Sequence, residues 1–522
     1  MALKSYDCIV IGGGVNGLTT SAILGKAGKK VVLFEKREMV GGLASTEEFA
    51  PGFRCNTVLD SVPWFNGSVI ADLELENHGL RFEGANITVT TLESVGKELS
   101  ISSDMDGTRR SIAQFSERDA ERWPPFCNKI SMLTDFLAPL YKITPPPIPD
   151  LDLSAFFSMK PILKPVRKHG REGVVELLRI LPMTMIELLD EWFESEPLRG
   201  TLASAGIRHL NQGPMAVGTA FNFLHHHVGS GSVCPVQFVS GGTGMLADSL
   251  RSAAENAGVE IRTEAEVSSI ILENGDASGI ALTEGEQLTS TTVVSSLTPH
   301  STFQLVGQQN LAPRFNRRLA NIKYRGATAR LHLGLKSLPR FTSLDENALK
   351  SMVSLSPSLS YLEKASDAAK YGQVSEKPCI EFTIPSLREE SFAAAGKHVL
   401  SATIQYIPYH SRGSDSITLR QELRNNAITQ LENHAPGISN IIEEEYLLTP
   451  TDLESKFALT EGNINHGEMM LDQFFFMRPT IDTAQYSTPI ENLFLCGPGT
   501  HPGGGLHGTS SFNVAMKILK EK

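Results

Sequence analysis

The stretch that decides the fold is YDCIVIGGGVNGLTTSAILGKAGKKVVLFE, residues 6–35, near the start of the chain. An apolar strand leads into a G-x-G-x-x-G turn formed by Gly12, Gly14 and Gly17, and a helix and a second apolar strand follow. Glu35 ends that second strand. This order of strand, glycine turn, helix, strand and acidic residue predicts a dinucleotide-binding βαβ unit.

Each residue of this motif has a physical role. Gly12 permits the tight turn, Gly14 lets a pyrophosphate approach the backbone, and Gly17 lets the helix pack closely on the strand. The helix N-terminus then directs free N–H groups and a partial positive charge at the phosphates. The carboxylate of Glu35 is placed to accept hydrogen bonds from a ribose hydroxyl, and it would repel a 2′-phosphate.

Length, composition and charge bound the class of protein. The 522 residues are enough for two or three lobes at ~150 residues per domain. An apolar content of 41% and a charged content of 20% are typical of a globular protein. Because the net charge is −11, we expect no nucleic-acid partner.

The cysteines and the apolar runs bear on location. The cysteines are widely scattered without a C-x-x-C pair, which favours a reducing compartment over a disulfide framework, a zinc ribbon or a redox dithiol. The first strand begins by Tyr6, so we expect no secretory signal or organelle presequence, and no apolar run reaches the ~18 residues that span a bilayer. A cytoplasmic protein, at most peripheral to a membrane, is the expectation. The six cysteines are Cys8, Cys55, Cys127, Cys234, Cys379 and Cys496.

Residues 70–235 differ in character from the first strands. Helical patterns and clustered prolines predict an inserted helical lobe rather than further parallel sheet. Within it, residues 155–171 (AFFSMKPILKPVRKHGR) carry five Lys or Arg and no acidic residue, interleaved with large apolar side chains. A basic apolar surface of this kind can bind an anionic membrane. The alternative is a solvated lid helix with loop ends.

The run His225-His226-His227 suggests a metal site at first sight. Three consecutive residues cannot all face one way on a helix or a strand, and no Cys or Asp nearby completes a ligand set. We therefore expect buried, hydrogen-bonded histidines near a pocket, and no metal.

The remainder of the chain returns to an α/β pattern. Residues 236–271 predict strand, turn, helix and strands, and residues 320–410 alternate strand-like pieces with polar loops, as in a mixed or antiparallel sheet. Near the C-terminus an apolar strand, residues 492–496, is followed by GPGTHPGGGLHGTSS and a final helix. This second glycine-dense turn can approach a flat ligand. QFVSGGTG also opens a helix but lacks an acidic strand end, so we expect no NAD(P) as a stoichiometric partner.

With both ends in view, the chain resembles the flavin amine oxidase and phytoene desaturase superfamily. It is most similar to the phytoene dehydrogenase-like branch called pyridine nucleotide-disulphide oxidoreductase domain-containing proteins. The resemblance covers nearly the whole chain. It is carried by the N-terminal motif with Glu35, the Gly41-Gly42 doublet, GGTGMLADSL (241–250), AEVSSI (265–270), GNINHGEMMLDQFFFMRP (462–479) and LFLCGPGTHPGGG (493–505).

The resemblance implies an α/β fold with a Rossmann-type FAD-binding lobe and a substrate lobe built from a mixed sheet and helices. The FAD lobe would comprise residues 1–70, 236–300 and 485–522. The substrate lobe would comprise residues 71–235 and 301–484, with a helical lid at about 113–200. The implied cofactor is non-covalent FAD, with Glu35 at the adenosine ribose and the backbone of Val267 at the adenine. The implied cofactor-binding residues are Gly12, Gly14, Val15, Asn16, Gly17, Glu35, Lys36, Gly41, Gly42, Leu43, Val267, Gly497, Pro498, Gly504, Gly505 and Leu506.

One part of the pattern departs from the family. The helix starting near His507 would direct its N-terminus at the flavin N1–C2=O edge, where it stabilises the reduced ring. The family often has an Arg in this last turn, whereas residues 509–512 here read Thr, Ser, Ser, Phe. We therefore expect no such charge from this turn, and the disulphide part of the family name finds no support in paired cysteines.

The implied activity is that of an FAD-dependent oxidoreductase moving hydride from a C–H bond of an apolar substrate, such as an isoprenoid or acyl chain, to flavin N5. Oxygen, a quinone or another carrier would take the electrons. A flavin-dependent isomerase or saturase without net oxidation, and a non-catalytic flavoprotein acting through protein or membrane partners, remain open as alternatives. Two histidines are candidate catalytic residues. His466 is expected to be a base or a group that positions substrate, with a structural role in holding its own loop as the alternative. His501 is expected to orient the flavin ring or its own loop.

Overall fold

The computed structural model describes residues 4–84, 89–92, 98–147, 159–231, 233–413 and 415–521. The chain has an α/β fold with a Rossmann-type lobe, a mixed-sheet lobe and a helical region. Within the described residues the strands are β1 Ser5–Tyr6, β2 Cys8–Ile11, β3 Val31–Phe34, β4 Thr46–Ala50, β5 Phe53–Asn56, β6 Phe82–Gly84, β7 Val89–Leu92, β8 Glu98–Ile101, β9 Gln237–Val239, β10 Glu260–Arg262, β11 Val267–Glu273, β12 Asp276–Leu282, β13 Gln287–Ser290, β14 Val293–Ser295, β15 Thr328–Leu335, β16 Met352–Leu355, β17 Cys379–Thr383, β18 His398–Gln405, β19 Ile442–Leu448 and β20 Leu493–Leu495.

The helices of the described residues are distributed through both lobes and the helical region. They are α1 Val15–Lys26, α2 Gly67–Asp72, α3 Met105–Ala113, α4 Glu117–Tyr141, α5 Leu163–Ile180, α6 Met185–Asp190, α7 Glu196–Ile207, α8 Thr219–His227, α9 Gly244–Asn256, α10 Pro299–Val306, α11 Pro313–Ala320, α12 Glu346–Leu349, α13 Leu359–Lys370, α14 Ser416–His434, α15 Ile438–Ile441, α16 Pro450–Phe457 and α17 Thr509–Glu521. Short 3-10 turns lie at Lys160–Ile162, Gln308–Asn310, Pro385–Leu387, Glu390–Phe392, Thr460–Gly462, Leu471–Gln473 and Phe475–Met477. No helix of the described residues has both the length and the apolar content needed to cross a bilayer.

The Rossmann-type lobe is built on a five-stranded parallel sheet with the order β10-β3-β2-β14-β20. β2, β3 and β14 are buried on both faces, which explains their continuous Val, Ile and Leu content. Helices α1, α9 and α17 cover one face, and a four-stranded sheet, β1-β13-β12-β11, packs with α10 and α11 on the other. The predicted βαβ unit is confirmed, with β3 at the predicted residues.

The parallel arrangement decides where the site forms. In a parallel sheet the carboxyl ends of all strands meet at one edge. The residues that follow β2, β3, β14 and β20 are Gly12, Glu35, Ser296 and Cys496, and they therefore reach the same edge from three distant parts of the chain. The predicted assembly of this lobe from separated segments rests on this register.

The second lobe is built on a seven-stranded mixed sheet with the order β19-β15-β18-β17-β16-β7-β8. Its pairs are antiparallel except for β16 with β7. Apolar residues of the central strands and of α14 form one core on this sheet. The prediction of a mixed sheet in residues 320–410 is confirmed.

Helices α3 to α8 form the helical region, which has its own apolar core around Trp123 and Phe126 of α4. Residues 113–200, the predicted helical lid, contain α4, α5, α6 and the start of α7, and residues 148–158 lie outside the described residues. Of the basic segment 155–171, residues 155–158 lie outside the described part, and the remainder forms the 3-10 turn at 160–162 and the start of α5.

Candidate functional site

An elongated cavity opens at the carboxyl edge of the parallel sheet and extends over the seven-stranded sheet. It encloses about 1920 Å³ of space not filled by protein atoms, including its mouth. Its wall has three sections. They are the acidic end (Glu35, Lys36, Arg37, Ala265 and Val267), the glycine section (Gly12, Gly14, Gly41 and Gly42) and the sheet chamber (Asp60, Arg208, His209, His226 and Glu381).

The acidic end holds the carboxylate of Glu35 in a fixed position. One oxygen accepts the backbone N–H of Gly13 at 2.7 Å and the other accepts that of Arg37 at 2.9 Å. Each oxygen retains a further lone pair for a ligand hydroxyl. The Nζ of Lys36 donates to the carbonyl of Ser455 at 3.3 Å. The geometry suits the ribose contact expected of Glu35.

In the glycine section, two backbone segments pass close together beside open space. Gly14 forms a β-bridge with Gly41, and a Cβ built on Gly14 would meet nothing nearer than the Cα of Gly42, at 3.9 Å. By contrast, a Cβ on Gly17 would lie 1.9 Å from the carbonyl oxygen of Gly12. Gly14 therefore keeps the cavity open for a ligand, whereas Gly17 lets α1 pack on its own turn. A pyrophosphate fits such a cradle at a helix N-terminus.

The C-terminal glycine turn contributes Pro498, Gly505 and Leu506 to the cavity wall. Two other predicted residues lie behind that wall. A Cβ on Gly497 would lie 2.6 Å from the carbonyl oxygen of Ser296, and one on Gly504 would overlap the side chain of Asn465. These two glycines permit close packing of the turn, and they do not line the cavity.

The helix after this turn begins at Thr509, two residues beyond the predicted start. His507 caps the start of this helix: its Nδ1 accepts the backbone N–H of Thr509 at 3.1 Å, and its ring stacks on Trp64 at 4.8 Å.

Arg478, which was not among the predicted site residues, lies against the C-terminal glycine turn. The buried guanidinium of Arg478 donates to the carbonyls of Asn465 at 2.6 Å and Pro498 at 2.9 Å, which ties the two loops together.

His466 lies in the cavity wall, where it was predicted to meet the ligand. Its side chain is buried, its backbone has φ 53°, and its Nδ1 has no hydrogen-bond partner. Burial and the charge of Arg478 lower the pKa of His466 to about 3. A group with this pKa is neutral at pH 7 and is a weak general base there, which favours the positioning role over the base.

His501 does not line the cavity. It is fully buried, with Nε2 at 2.8 Å from the carbonyl oxygen of Leu140, and its ring contacts those of Tyr141, Phe474 and Phe475. Burial lowers its pKa to about 3. The structure therefore gives His501 contacts that hold its own loop against α4.

The sheet chamber is the part of the site that the sequence did not reveal. Arg208 and Glu381 form a bidentate ion pair in its wall, with nitrogen–oxygen distances of 2.9 and 3.2 Å. His209, His226 and Asp60 complete this polar surface. The only sequence signal was the histidine run, of which His226 is the central residue.

The three consecutive histidines have three different environments. His225 bonds to the hydroxyl of Tyr141 and to the carbonyl of Gly504, and the Nε2 of His227 accepts the backbone N–H of Cys234 at 2.7 Å. His226 faces the sheet chamber. Within the described ranges no group of three or more His, Cys, Asp or Glu side chains is placed to hold a metal ion. No disulfide joins any of the six cysteines, all of which are described.

Comparison with known proteins agrees with this architecture. A family model for NAD(P)-binding Rossmann-like domains matches residues 10–68, and one for flavin-containing amine oxidoreductases matches residues 203–511. The chain is 32% identical to pyridine nucleotide-disulfide oxidoreductase domain-containing protein 2 of Rattus norvegicus, over 99% of this chain and 94% of the relative. The chain belongs to the flavin-containing amine oxidoreductases.

Two further matches extend the comparison. One of the subunits of limonene dehydrogenase from Castellaniella defragrans is 25% identical, over 99% of this chain and 95% of its own length. A solved oxidoreductase from Methanosarcina mazei has the same fold, with a TM-score of 0.64 at 15% identity, over 98% of this chain and 99% of its own. The family resemblance predicted from the sequence motifs is confirmed, and the chain is an FAD-dependent oxidoreductase.

Proposed function

We propose that the cavity holds FAD non-covalently and that the enzyme removes hydride from a C–H bond of a largely apolar substrate. The observation that supports this most is the continuity of one cavity from the dinucleotide motif to the second lobe. The acidic end would hold the ribose, the glycine section the pyrophosphate, and Gly505 and Leu506 would lie beside the flavin ring. When bound, the flavin supplies the hydride acceptor, its N5.

The wall of the cavity supports an apolar reacting portion of the substrate. Leu59, Leu297, Leu459 and Ile464 line it beside His466. Such a lining excludes water and orients the C–H bond by shape. The similarity to the limonene dehydrogenase chain, which is named for an enzyme acting on an isoprenoid hydrocarbon, also supports this substrate class.

His466 would act in this reaction by orienting the substrate from a fixed ring position. Its ring is buried and neutral, so it can donate or accept one hydrogen bond without adding charge to the site. The electrons would leave to dioxygen or to a quinone.

The decisive experiment is the isolation of the protein with its cofactor. Purified protein should be yellow, and acid or heat should release FAD into the supernatant. Colourless folded protein that takes up no added FAD would contradict the proposal. Anaerobic NADH or NADPH should reduce the flavin slowly or not at all, since one fingerprint serves one dinucleotide.

Product analysis distinguishes oxidation of the substrate from its isomerisation or saturation. A product with two hydrogens fewer than the substrate, formed together with reduced acceptor, supports a dehydrogenase or oxidase. A product of unchanged or higher hydrogen content that forms only with pre-reduced flavin supports the isomerase or saturase. Small molecules that co-purify with the protein, identified by mass spectrometry, supply the first candidates.

We also propose peripheral membrane contact through a basic face at the start of α5, defined by Lys160, Leu163, Lys164 and Arg167. These four residues share a shallow depression on the surface. Leu163 is 45% exposed in this depression, so an apolar side chain lies among the basic ones. On a chain of net charge −11 such a surface favours anionic lipid.

A further inference from the structure

The sheet chamber is polar in a way that an apolar substrate does not require. Arg208 and Glu381 form their ion pair in the wall with side chains 14% and 11% exposed, so both still reach the cavity surface. Asp60 pairs with the fully buried Arg330 behind the wall, at 2.6 Å. Each charge of this wall therefore has a partner of opposite sign within the protein.

Two side chains of the chamber wall have incomplete hydrogen bonding. Asp60 uses Oδ2 for Arg330, and its Oδ1 has no partner. His226 has no partner at Nε2, although the residue is only 7% exposed. Buried polar groups are normally satisfied, so two incomplete ones in the wall of one chamber point to a ligand that supplies the missing bonds.

The histidines of the chamber add no charge. Burial, with the charges of Arg208 and Arg330, lowers the pKa of His209 to about 3. Burial likewise lowers the pKa of His226 well below its usual value. Both rings are therefore neutral at pH 7, and each offers one donor and one acceptor nitrogen.

From this arrangement we propose that the sheet chamber binds an uncharged hydroxyl group of the substrate, with Asp60 and His226 as its hydrogen-bonding partners. This inference rests on the proposed function, because it assigns the specificity of the same cavity. A hydroxyl group donates a hydrogen bond, as the Asp60 carboxylate requires, and it can also accept a hydrogen bond from an N–H group.

Other chemical classes fit the chamber less well. A carboxylate would lie beside the carboxylates of Asp60 and Glu381, and an ammonium ion beside the guanidinium of Arg208, while the opposite charges are already paired. A pure hydrocarbon would cover the polar wall and leave its groups unsatisfied. A site built to bond a hydroxyl rejects the analogue that lacks it.

The test uses the FAD-bound enzyme and four probes with one ring and different ends: cyclohexanol, cyclohexane, cyclohexylammonium and cyclohexanecarboxylate. Each is titrated anaerobically while the flavin absorption spectrum is followed. Cyclohexanol should perturb the spectrum at a concentration at least about tenfold lower than any other probe. The inference would be overturned if cyclohexane bound as tightly as cyclohexanol or more tightly, or if either ion bound most tightly of the four probes. It would also be overturned if no probe changed the flavin spectrum.

A variant then assigns the preference to the chamber. His226→Phe removes one of the two proposed hydrogen-bonding partners and keeps an aromatic ring of similar size. It should keep FAD and reduce the preference for cyclohexanol over cyclohexane to about equality. If this variant does not retain FAD, His226→Leu takes its place, and His78→Gln, at a half-buried histidine bonded to Ser252 outside the cavity, is the control.

The remaining outcomes are also decisive. An unchanged ranking in the variant places the hydroxyl elsewhere and overturns the inference. Loss of FAD from both His226→Phe and His226→Leu also overturns it, because that result assigns His226 to the cofactor. A colourless wild type would instead contradict the proposed function, so the two failures are distinguishable.

Discussion

The Nε2 of His225 lies 2.9 Å from the carbonyl oxygen of Gly504, so the helical region is bonded directly to the C-terminal glycine turn. The other ring nitrogen lies 2.5 Å from the hydroxyl of Tyr141 on α4. The tautomer with hydrogen on Nε2 satisfies both contacts: Tyr141 donates to Nδ1 and Nε2–H donates to Gly504. Burial lowers the pKa of His225 to about 4, which keeps this neutral form at pH 7.

Removal of this link should loosen the turn. His225→Leu leaves the buried Tyr141 hydroxyl and Gly504 carbonyl without partners, and we expect the free energy of unfolding to fall by about 2–5 kcal/mol. FAD occupancy should fall with it, because Gly505 lies in the cavity wall. Urea unfolding and the ratio of flavin to protein absorbance measure the two effects. His78→Gln, at a half-buried position bonded to Ser252, should lower the free energy of unfolding by no more than about 1 kcal/mol, and equal losses in both variants would contradict the assigned role.

Two glycines of one fingerprint should respond differently to the same substitution. Gly14 has φ −70° and open space at its Cβ position, so Gly14→Ala should leave the melting temperature of the FAD-free protein unchanged and weaken FAD binding at least about tenfold. Gly17→Ala places its Cβ 1.9 Å from the Gly12 carbonyl and should lower the melting temperature of the FAD-free protein itself. Calorimetry with and without FAD separates them. Equal behaviour of the two variants would contradict the assignment.

His466 should affect the rate of reaction rather than the fold. If its neutral ring positions the substrate, His466→Ala retains FAD and lowers the rate of flavin reduction by about 10²-fold. His466→Gln, which keeps a donor and an acceptor, should recover part of that rate. Because its pKa is about 3, the variant should also leave any inflection of the rate between pH 5 and 8 in place. Anaerobic stopped-flow reduction, normalised to bound FAD, measures the rate.

The structural alternative for His466 makes the opposite prediction. Loss of FAD or a lower melting temperature, with little change in rate per bound flavin, would show that the residue only holds its loop. Loss of a pH inflection near neutrality in His466→Gln would show that it acts as a base.

The basic face of α5 can be tested against a matched pair of charges. Lys164→Glu with Arg167→Glu should weaken binding to anionic liposomes at least about tenfold, since each basic residue near such a surface contributes ~1 kcal/mol. Arg314→Glu with Arg317→Glu, an exposed pair of the same spacing on α11, changes the net charge equally and should have little effect. Co-sedimentation at low salt measures both. If the wild-type protein does not bind anionic liposomes, the alternative of a solvated lid helix is favoured.

Acid should destabilise the protein well before its carboxylates titrate. The pKa values of six buried histidines are lowered to about 3 or 4, mainly by burial, against ~6.5 in the unfolded chain. Below pH 6.5 the unfolded state therefore binds protons that the folded state does not. The free energy of unfolding should fall between pH 6.5 and about 4, by up to ~1.4 kcal/mol per pH unit for each histidine. The six are His209, His225, His227, His466, His501 and His507.

Urea unfolding at pH 5.0, 5.5, 6.0, 6.5 and 7.5 measures this slope. Replacement of His227 by Gln should reduce the slope of unfolding free energy against pH by the contribution of about one proton, since this ring is bonded within its own helix and loop. Constant stability from pH 7.5 to 5.0 would show that these rings are not buried in the neutral form.

The sequence alone determined the Rossmann-type unit and its ligand class. The roles of Gly12, Gly14 and Gly17 depend on local backbone geometry, which a short motif fixes wherever it folds. Glu35 could be placed because it directly ends a buried strand. The C-terminal glycine turn could be recognised in the same way, as a strand, a turn and a helix adjacent in the chain. Family resemblance then supplied the second lobe.

Only the tertiary structure decided which polar groups meet in the sheet chamber and which predicted residues stand outside the cavity. Arg208 and Glu381 are 173 residues apart and carry no local signal, because their pairing depends on how α7 and β17 pack. His501, Gly497 and Gly504 belong to the predicted turn, yet one side of a turn faces the cavity and the other faces the core. Motifs fix backbone conformation over a few residues, whereas burial and pairing arise from contacts between distant segments.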